Sequence, residues 1–247
     1  MRALWKLTLT QVKLYVREPI AAFFTLAYAP MMLVLFGSIY GNEPTPLFGG
    51  RGTVDVSVPA YTALIIVAVG LIGLPIETAT SREMGVLRRY RATPLRPTVY
   101  LAAEVLVYFA MTLLGVLFLI LVGKIGYNMR FDGNPVMVLG GFMLGTLSFF
   151  SLGFLIASLA PTARIAQTVG MVLAFPMMFL SGASIPLEVL PPTVRHVSQF
   201  VPLTYVVTLL RGLWRGDVWA DHLTETGVLV GLLIVGVVLS ARTFRWE

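Results

Sequence analysis

The stretch TVYLAAEVLVYFAMTLLGVLFLILVG, residues 98–123, holds one charged residue, Glu104, and no proline. A helix needs on the order of 20 apolar residues to cross ~30 Å of hydrocarbon, so this run alone is a candidate membrane span. Working outward, five further apolar runs of comparable length occupy about 20–40, 58–80, 135–159, 165–184 and 224–241. The composition of the 247 residues agrees, with 57% hydrophobic, 12% charged and a mean hydropathy of +0.85. Soluble domains carry roughly twice that share of charge. The sequence therefore predicts an all-α integral membrane protein with six transmembrane helices in one domain, residues 1–247.

Six crossings put both termini on one side. Counting Lys and Arg in the connecting segments, twelve fall on the side of the termini: Arg2, Lys6, Lys13, Arg17, Arg82, Arg88, Arg89, Arg91, Arg96, Arg164, Arg242 and Arg245. The other six, Arg51, Lys124, Arg130, Arg195, Arg211 and Arg215, fall opposite. The positive-inside rule then makes the termini cytoplasmic and the protein a multi-pass component of a plasma membrane. The net charge of +6 sits beside apolar spans, which favours anionic lipid headgroups over nucleic acid as its partner. The first run is too long for a signal-peptide core and lacks a small-residue cleavage pattern, so it is expected to be retained.

Before that run, Arg2, Lys6, Lys13 and Arg17 share an arc of roughly 60° on a helical wheel, with Leu, Val, Trp and Tyr side chains on the rest. Residues 1–18 thus read as an amphipathic helix in the inner interface, ended before Pro19; a passive anchor is the simplest role for it. Residues 185–221 carry Pro186, Pro191, Pro192 and Pro202 together with Arg195, His196, Arg211 and Arg215. Such a segment breaks as a lipid-exposed span, and two short helices, about 187–199 and 202–214, are expected to dip in from the outer face under cover of protein.

The loop joining the second and third runs reads SREMGVLRRYRATPLRPT, residues 81–98. Met84, Leu87 and Tyr90 recur every third residue and would form an apolar stripe on a short helix flanked by Arg88, Arg89 and Arg91, with Pro94 stopping it. Two readings stand: a cytoplasmic docking helix tied to two spans, or an ordinary basic loop that sets topology.

The pattern Arg82-Glu-x-Gly-x-Leu-x-x-x-Arg-x-Thr-Pro94 resembles the cytoplasmic loop of type 2 ATP-binding cassette (ABC) transporter permeases. So do Ser181-Gly182, Pro186, Leu190-Pro191, Pro202-Leu-Thr-Tyr205 and Leu210-Arg211. The resemblance extends over nearly the whole chain. It implies a coupling helix that sits in a cleft of a separate ABC ATPase subunit, which binds ATP and Mg, and a second permease copy, identical or related, that completes the path. It assigns Glu83, Gly85, Leu87, Arg88 and Arg91 to coupling, and Pro202, Tyr205 and Arg211 to the outer re-entrant hairpin. Val86 stands where relatives often carry Ser or Thr. In a bacterial inner membrane such a chain would be the permease of an exporter.

No nucleotide site is expected in the chain itself. Lys124 is the one lysine that follows a glycine, and Phe118 occupies the place of the first glycine in the phosphate-loop pattern. With no cysteine and two histidines, a metal site lacks its ligands, and no nucleophile–base motif marks an enzyme. Glu77 and Glu104 are carboxylates within apolar runs near the cytoplasmic ends. They are inner-gate candidates, or else pair with Arg82 or another loop arginine, or snorkel to water. Gly141-x-x-x-Gly145 and Gly227-x-x-x-Gly231 permit close helix approach, within one chain or at a dimer seam. Polar side chains in the spans are sparse, chiefly Thr62, Thr112, Thr146, Ser148, Ser151 and Thr168. A cargo with a sizeable apolar body follows, drug-like or lipid-linked, although the same fold also serves polysaccharide export. An ion-coupled secondary transporter is the rival reading, disfavoured because its ion site belongs near the midplane.

Overall fold

The computed structural model describes residues 23–86 and 97–243, and these contain helices and connecting turns with no β-strand. In chain order the helices are α1 (Tyr28–Tyr40), α2 (Thr53–Glu83), α3 (Pro97–Tyr127), α4 (Pro135–Leu159), α5 (Ala163–Leu180), α6 (Pro192–Ser198), α7 (Pro202–Arg215) and α8 (Leu223–Thr243). Among the described residues, α2, α3, α4, α5 and the segment Trp219–Thr243 containing α8 are long and apolar enough to cross a bilayer. Among the described residues, the apolar run nearest the N-terminus forms a π-helical turn, Phe23–Ala27, followed by the short helix α1. The interface helix expected over residues 1–18 lies outside the described residues.

The centre of the fold is α2, which is buried continuously from Ser57 to Leu71. A helix that is apolar all round belongs in the interior. Midway it widens into a π-helical segment, Ala68–Gly73. Pro75 follows directly; its ring has no N–H and crowds the carbonyl four residues back, Leu71, and a π turn relieves that clash. The neighbouring chains come close at this point. A β-carbon on Gly153 of α4 would collide with the Gly70 carbonyl, and one on Gly170 of α5 with the Leu71 carbonyl. Small residues thus set the spacing of α2, α4 and α5, as in other membrane helix bundles.

The two glycine pairs behave differently. Gly141 and Gly145 pack on Leu213 and Val206 of α7, so that pair serves packing within the chain. Gly227 and Gly231 face open space on α8. The spans' hydroxyls are mostly spent on backbone: Thr62 donates to Val58 O (2.9 Å), Thr112 to Tyr108 O (2.7 Å) and Thr168 to Arg164 O (2.9 Å). Ser148 reaches across to Leu229 O at 2.9 Å and so ties α4 to α8.

At the end of the bundle holding the α1–α2 and α3–α4 turns, Asn42 and Asp55 organise the junction. The Asn42 side-chain oxygen accepts from the N–H groups of Val54 and Asp55, both at 3.1 Å, capping the first turn of α2. Its amide donates to Asp55 Oδ1 (2.9 Å) and to the Tyr127 carbonyl (3.1 Å), while the Arg130 N–H donates to the same Oδ1 at 2.8 Å. The α1–α2 turn and the α3–α4 turn are thus both fixed to one buried carboxylate.

The proline-rich segment breaks where its sequence predicts. A 3₁₀ turn at Leu187–Val189 leads to α6 and then α7, each helix opening on a proline at its first positions. One side of α7 is buried along Leu203, Val206, Leu210 and Leu213, whereas Phe200 at the connecting turn is exposed.

Candidate functional site

The residues singled out in the sequence gather at two ends of the bundle. At the end of α2 away from Asn42, Gly85 has φ +67°, a left-handed conformation that glycine adopts without strain, and its N–H bonds to Arg82 O at 3.0 Å. Met84 and Gly85 therefore form the turn that ends α2. Met84, the first residue of the expected stripe, sits in this turn. Leu87, Arg88, Arg91 and the rest of residues 87–96 lie outside the described residues.

Immediately before the turn, two adjacent side chains reach the α4–α5 junction. The Arg82 guanidinium donates to Ala157 O at 3.0 Å and also to Ala160 O, at the C-terminal end of α4. The Glu83 carboxylate accepts the Ala163 N–H at 2.7 Å, at the first residue of α5, where the Thr162 hydroxyl accepts from Ile165 N. Helix C-termini carry partial negative charge on unpaired carbonyls and N-termini partial positive charge on unpaired N–H groups. A cation on the first and an anion on the second are the matching choices, and each is a charge-assisted hydrogen bond. Glu83, though exposed, thus holds a defined position beside the loop. Arg82, absent from the assigned coupling residues, completes the clamp.

Glu104 of α3 is 1% exposed. The Thr78 hydroxyl of α2 donates to Glu104 Oε1 at 2.7 Å and lies 2.8 Å from Leu74 O as well, one proton facing two acceptors. Among the described residues, Oε2 of Glu104 has no hydrogen-bond partner. Glu77 Oε1 accepts from Ser81 Oγ at 3.4 Å, within α2. The Thr78–Glu104 bond thus joins α2 to α3. The structure does not pair Glu104 with Arg82, which is engaged at α4.

At the proline-rich segment, Pro202 starts α7, the Tyr205 hydroxyl donates to Gln199 O at 2.6 Å, and Thr204 Oγ1 donates to Ser198 O at 2.7 Å. Arg211 is buried, donating to Gly182 O at 3.2 Å and to Glu188 Oε2 at 3.4 Å. Together these bonds fasten α7 to the turn after α5 and to the 3₁₀ turn. Sequence reading missed Glu188 and Gly182 as partners; Gly182, with φ +84°, carried the one available signal as a glycine at a helix end.

Comparison with known proteins gives this geometry its family. Nodulation protein J of Rhizobium leguminosarum bv. viciae is 31% identical over 111 residues, 45% of this chain and 41% of that protein. YbhS of Escherichia coli K12, named as a probable multidrug ABC transporter permease, is 24% identical over 64% of this chain and 42% of its own length. The ycf38 protein of Porphyra purpurea is 22% identical over 92% of the chain and 79% of that protein. The matched stretch thus spans about two fifths of the first two relatives. A family model described as "ABC-2 type transporter" matches residues 2–214, and the chain belongs to that family.

Proposed function

We propose that the chain is the permease subunit of an ABC exporter, moving an amphiphilic, drug-like or lipid-linked substrate out of the cytoplasm. Residues 1–247 form one transmembrane domain that crosses a bacterial inner membrane six times, with the apolar run from Ile20 through α1 as the first crossing and both termini inside. A separate ATPase subunit binds ATP and Mg and docks on the loop at residues 81–97. A second permease copy, identical or related, completes the path. Family membership supports the permease role, and the names of YbhS and ycf38 both include the word permease.

The observation that carries the reading is the Arg82–Glu83 clamp. A docking loop does work on the bundle only if a push on it reaches the spans. The clamp ties the root of the loop to the ends of α4 and α5, so that these helices follow α2. Glu83, Gly85, Leu87, Arg88 and Arg91 form the coupling segment, with Gly85 as its hinge-like turn. Glu77 and Glu104 line an inner gate between α2 and α3, and Pro202, Tyr205 and Arg211 hold a re-entrant hairpin that closes the outer side. The apolar substrate body follows from spans whose hydroxyls are mostly satisfied by backbone carbonyls.

An ion-coupled secondary transporter is the second reading, favoured by the buried Glu104 with its unpartnered oxygen. Proteoliposomes containing the permease with its ATPase subunit separate the two. Export of a fluorescent amphiphile should require Mg-ATP and persist after an uncoupler collapses the proton gradient. Flux that follows an imposed pH gradient without the ATPase would establish the rival.

A further inference from the structure

We propose that the cleft between α3 and α4 binds one acyl chain of an anionic phospholipid of the outer leaflet, with the Lys124 ammonium on its phosphate. The proposal rests on the membrane orientation but not on ATP-driven transport. The cleft encloses about 560 Å³, within the usual range for ligand pockets. Its floor is formed one helix layer down, by Pro59 of α2 and by Leu210 and Trp214 of α7, and Leu117 and Leu139 stand half-exposed at its sides.

The polar groups in its lining decide the occupant. The Thr62 hydroxyl is spent on Val58 O at 2.9 Å, and the Trp214 indole N–H on Arg130 O at 3.2 Å. Neither is available to a ligand. Lys124 differs: it is exposed, and the hydrogen bond it makes within the chain, to Met129 O, is long at 3.4 Å. Two of its three donors remain for a ligand. The site therefore offers an apolar trough ending in one cation at the headgroup level of the side opposite the termini. An extended hydrocarbon chain ending in an anion matches it in shape and charge. A flat helix face from a second copy would cover the sides and leave the floor empty. Because a lipid tail gains little by leaving other tails, the trough holds the chain by contact, and the headgroup charge sets which lipid is chosen.

The test is native mass spectrometry of the full-length permease assembly in micelles doped with equal amounts of phosphatidylglycerol and phosphatidylcholine of the same chain length. The last lipid stripped from the wild type should be phosphatidylglycerol, preferred about fivefold, the selectivity expected of one lysine near a headgroup layer. Lys124→Gln should bring that ratio to about one while a lipid is still retained. Leu117→Trp and Leu139→Trp, each filling the mouth, should lose both lipids; two variants are used so that one that elutes as a folded assembly suffices. The proposal is overturned by equal retention of the two lipids in the wild type. It is equally overturned by an unchanged preference in Lys124→Gln, or by wild-type lipid retention in a folded tryptophan variant.

Discussion

Arg82 and Glu83 are neighbours in sequence, yet they bind opposite helix ends, the guanidinium on the carbonyls of Ala157 and Ala160 and the carboxylate on the Ala163 N–H. A covalent pair at the end of α2 thereby grips the α4–α5 turn from both sides. Hydrogen bonds to charged groups contribute about 1.5–3 kcal/mol when shielded, and Glu83 is exposed, so its share belongs nearer the ~1 kcal/mol of an ordinary helix cap.

Arg82→Gln should therefore cost more than Glu83→Ala, by a few degrees in the midpoint of thermal unfolding in detergent. Glu83→Gln should be milder still, because the amide oxygen can accept from Ala163 N. All three should reach the membrane, and Arg82→Gln should lose most of the stimulation of ATP hydrolysis by substrate. Hydrolysis that remains fully substrate-stimulated in Arg82→Gln would reduce the clamp to a static brace.

Glu104 gives a stability–function contrast. Its Oε2 is buried without a partner among the described residues, and leaving a buried polar atom unsatisfied costs about 1–3 kcal/mol, which an apolar side chain of similar volume avoids. In Glu104→Leu the Thr78 hydroxyl keeps Leu74 O as acceptor. The expected result is an unfolding midpoint equal to or above the wild type, with transport largely lost. Glu104→Gln should lower transport more than expression. A Glu104→Leu variant that transports normally would leave the residue outside the gate.

Crossing number is open to labelling because the chain has no cysteine. Single cysteines at Glu43 and Thr193, both exposed, should react with a membrane-impermeant maleimide in intact cells, whereas cysteines at Met84 and Glu247 should not. Asn42 and Gly85 are avoided, the first because it caps α2 and the second because of its positive φ. Labelling at Glu247 from outside would leave five crossings.

The legible part of this fold is the part written in composition. The run at 135–159 coincides with α4, since Asn134-Pro135 marks a start and its side chain caps Val136 N at 2.9 Å. The proline spacing likewise forecast the break into α6 and α7. Contacts between distant residues left no such trace. Arg82 and Ala157 are 75 positions apart, and a basic loop has the same composition whether its arginines cap a helix or face water. Asn42, a turn residue by type, gave no hint that it holds Asp55 and Tyr127. Nor did the π segment of α2 announce itself, although Gly70 and Pro75 mark it in hindsight. Glu77 and Glu104 stood out because carboxylates are costly among apolar residues, but the bond from Thr78 to Glu104 depends on how α2 packs on α3.

The central claim is that the loop beyond Gly85 docks an ATPase, and Leu87→Asp tests it most directly. Leu87 is the apolar residue in the middle of that basic segment, and burying it in a partner cleft would contribute about 1.5–3 kcal/mol. An aspartate there would place an unpaired charge in the contact, at a cost of several kcal/mol. The measurement is co-purification of the ATPase subunit with the affinity-tagged permease from membranes, normalised to permease recovered. The account predicts normal membrane levels of Leu87→Asp with the ATPase lost from the complex, and a milder loss for Arg88→Glu. Retention of the ATPase at the wild-type ratio, with transport at the wild-type rate, would contradict it.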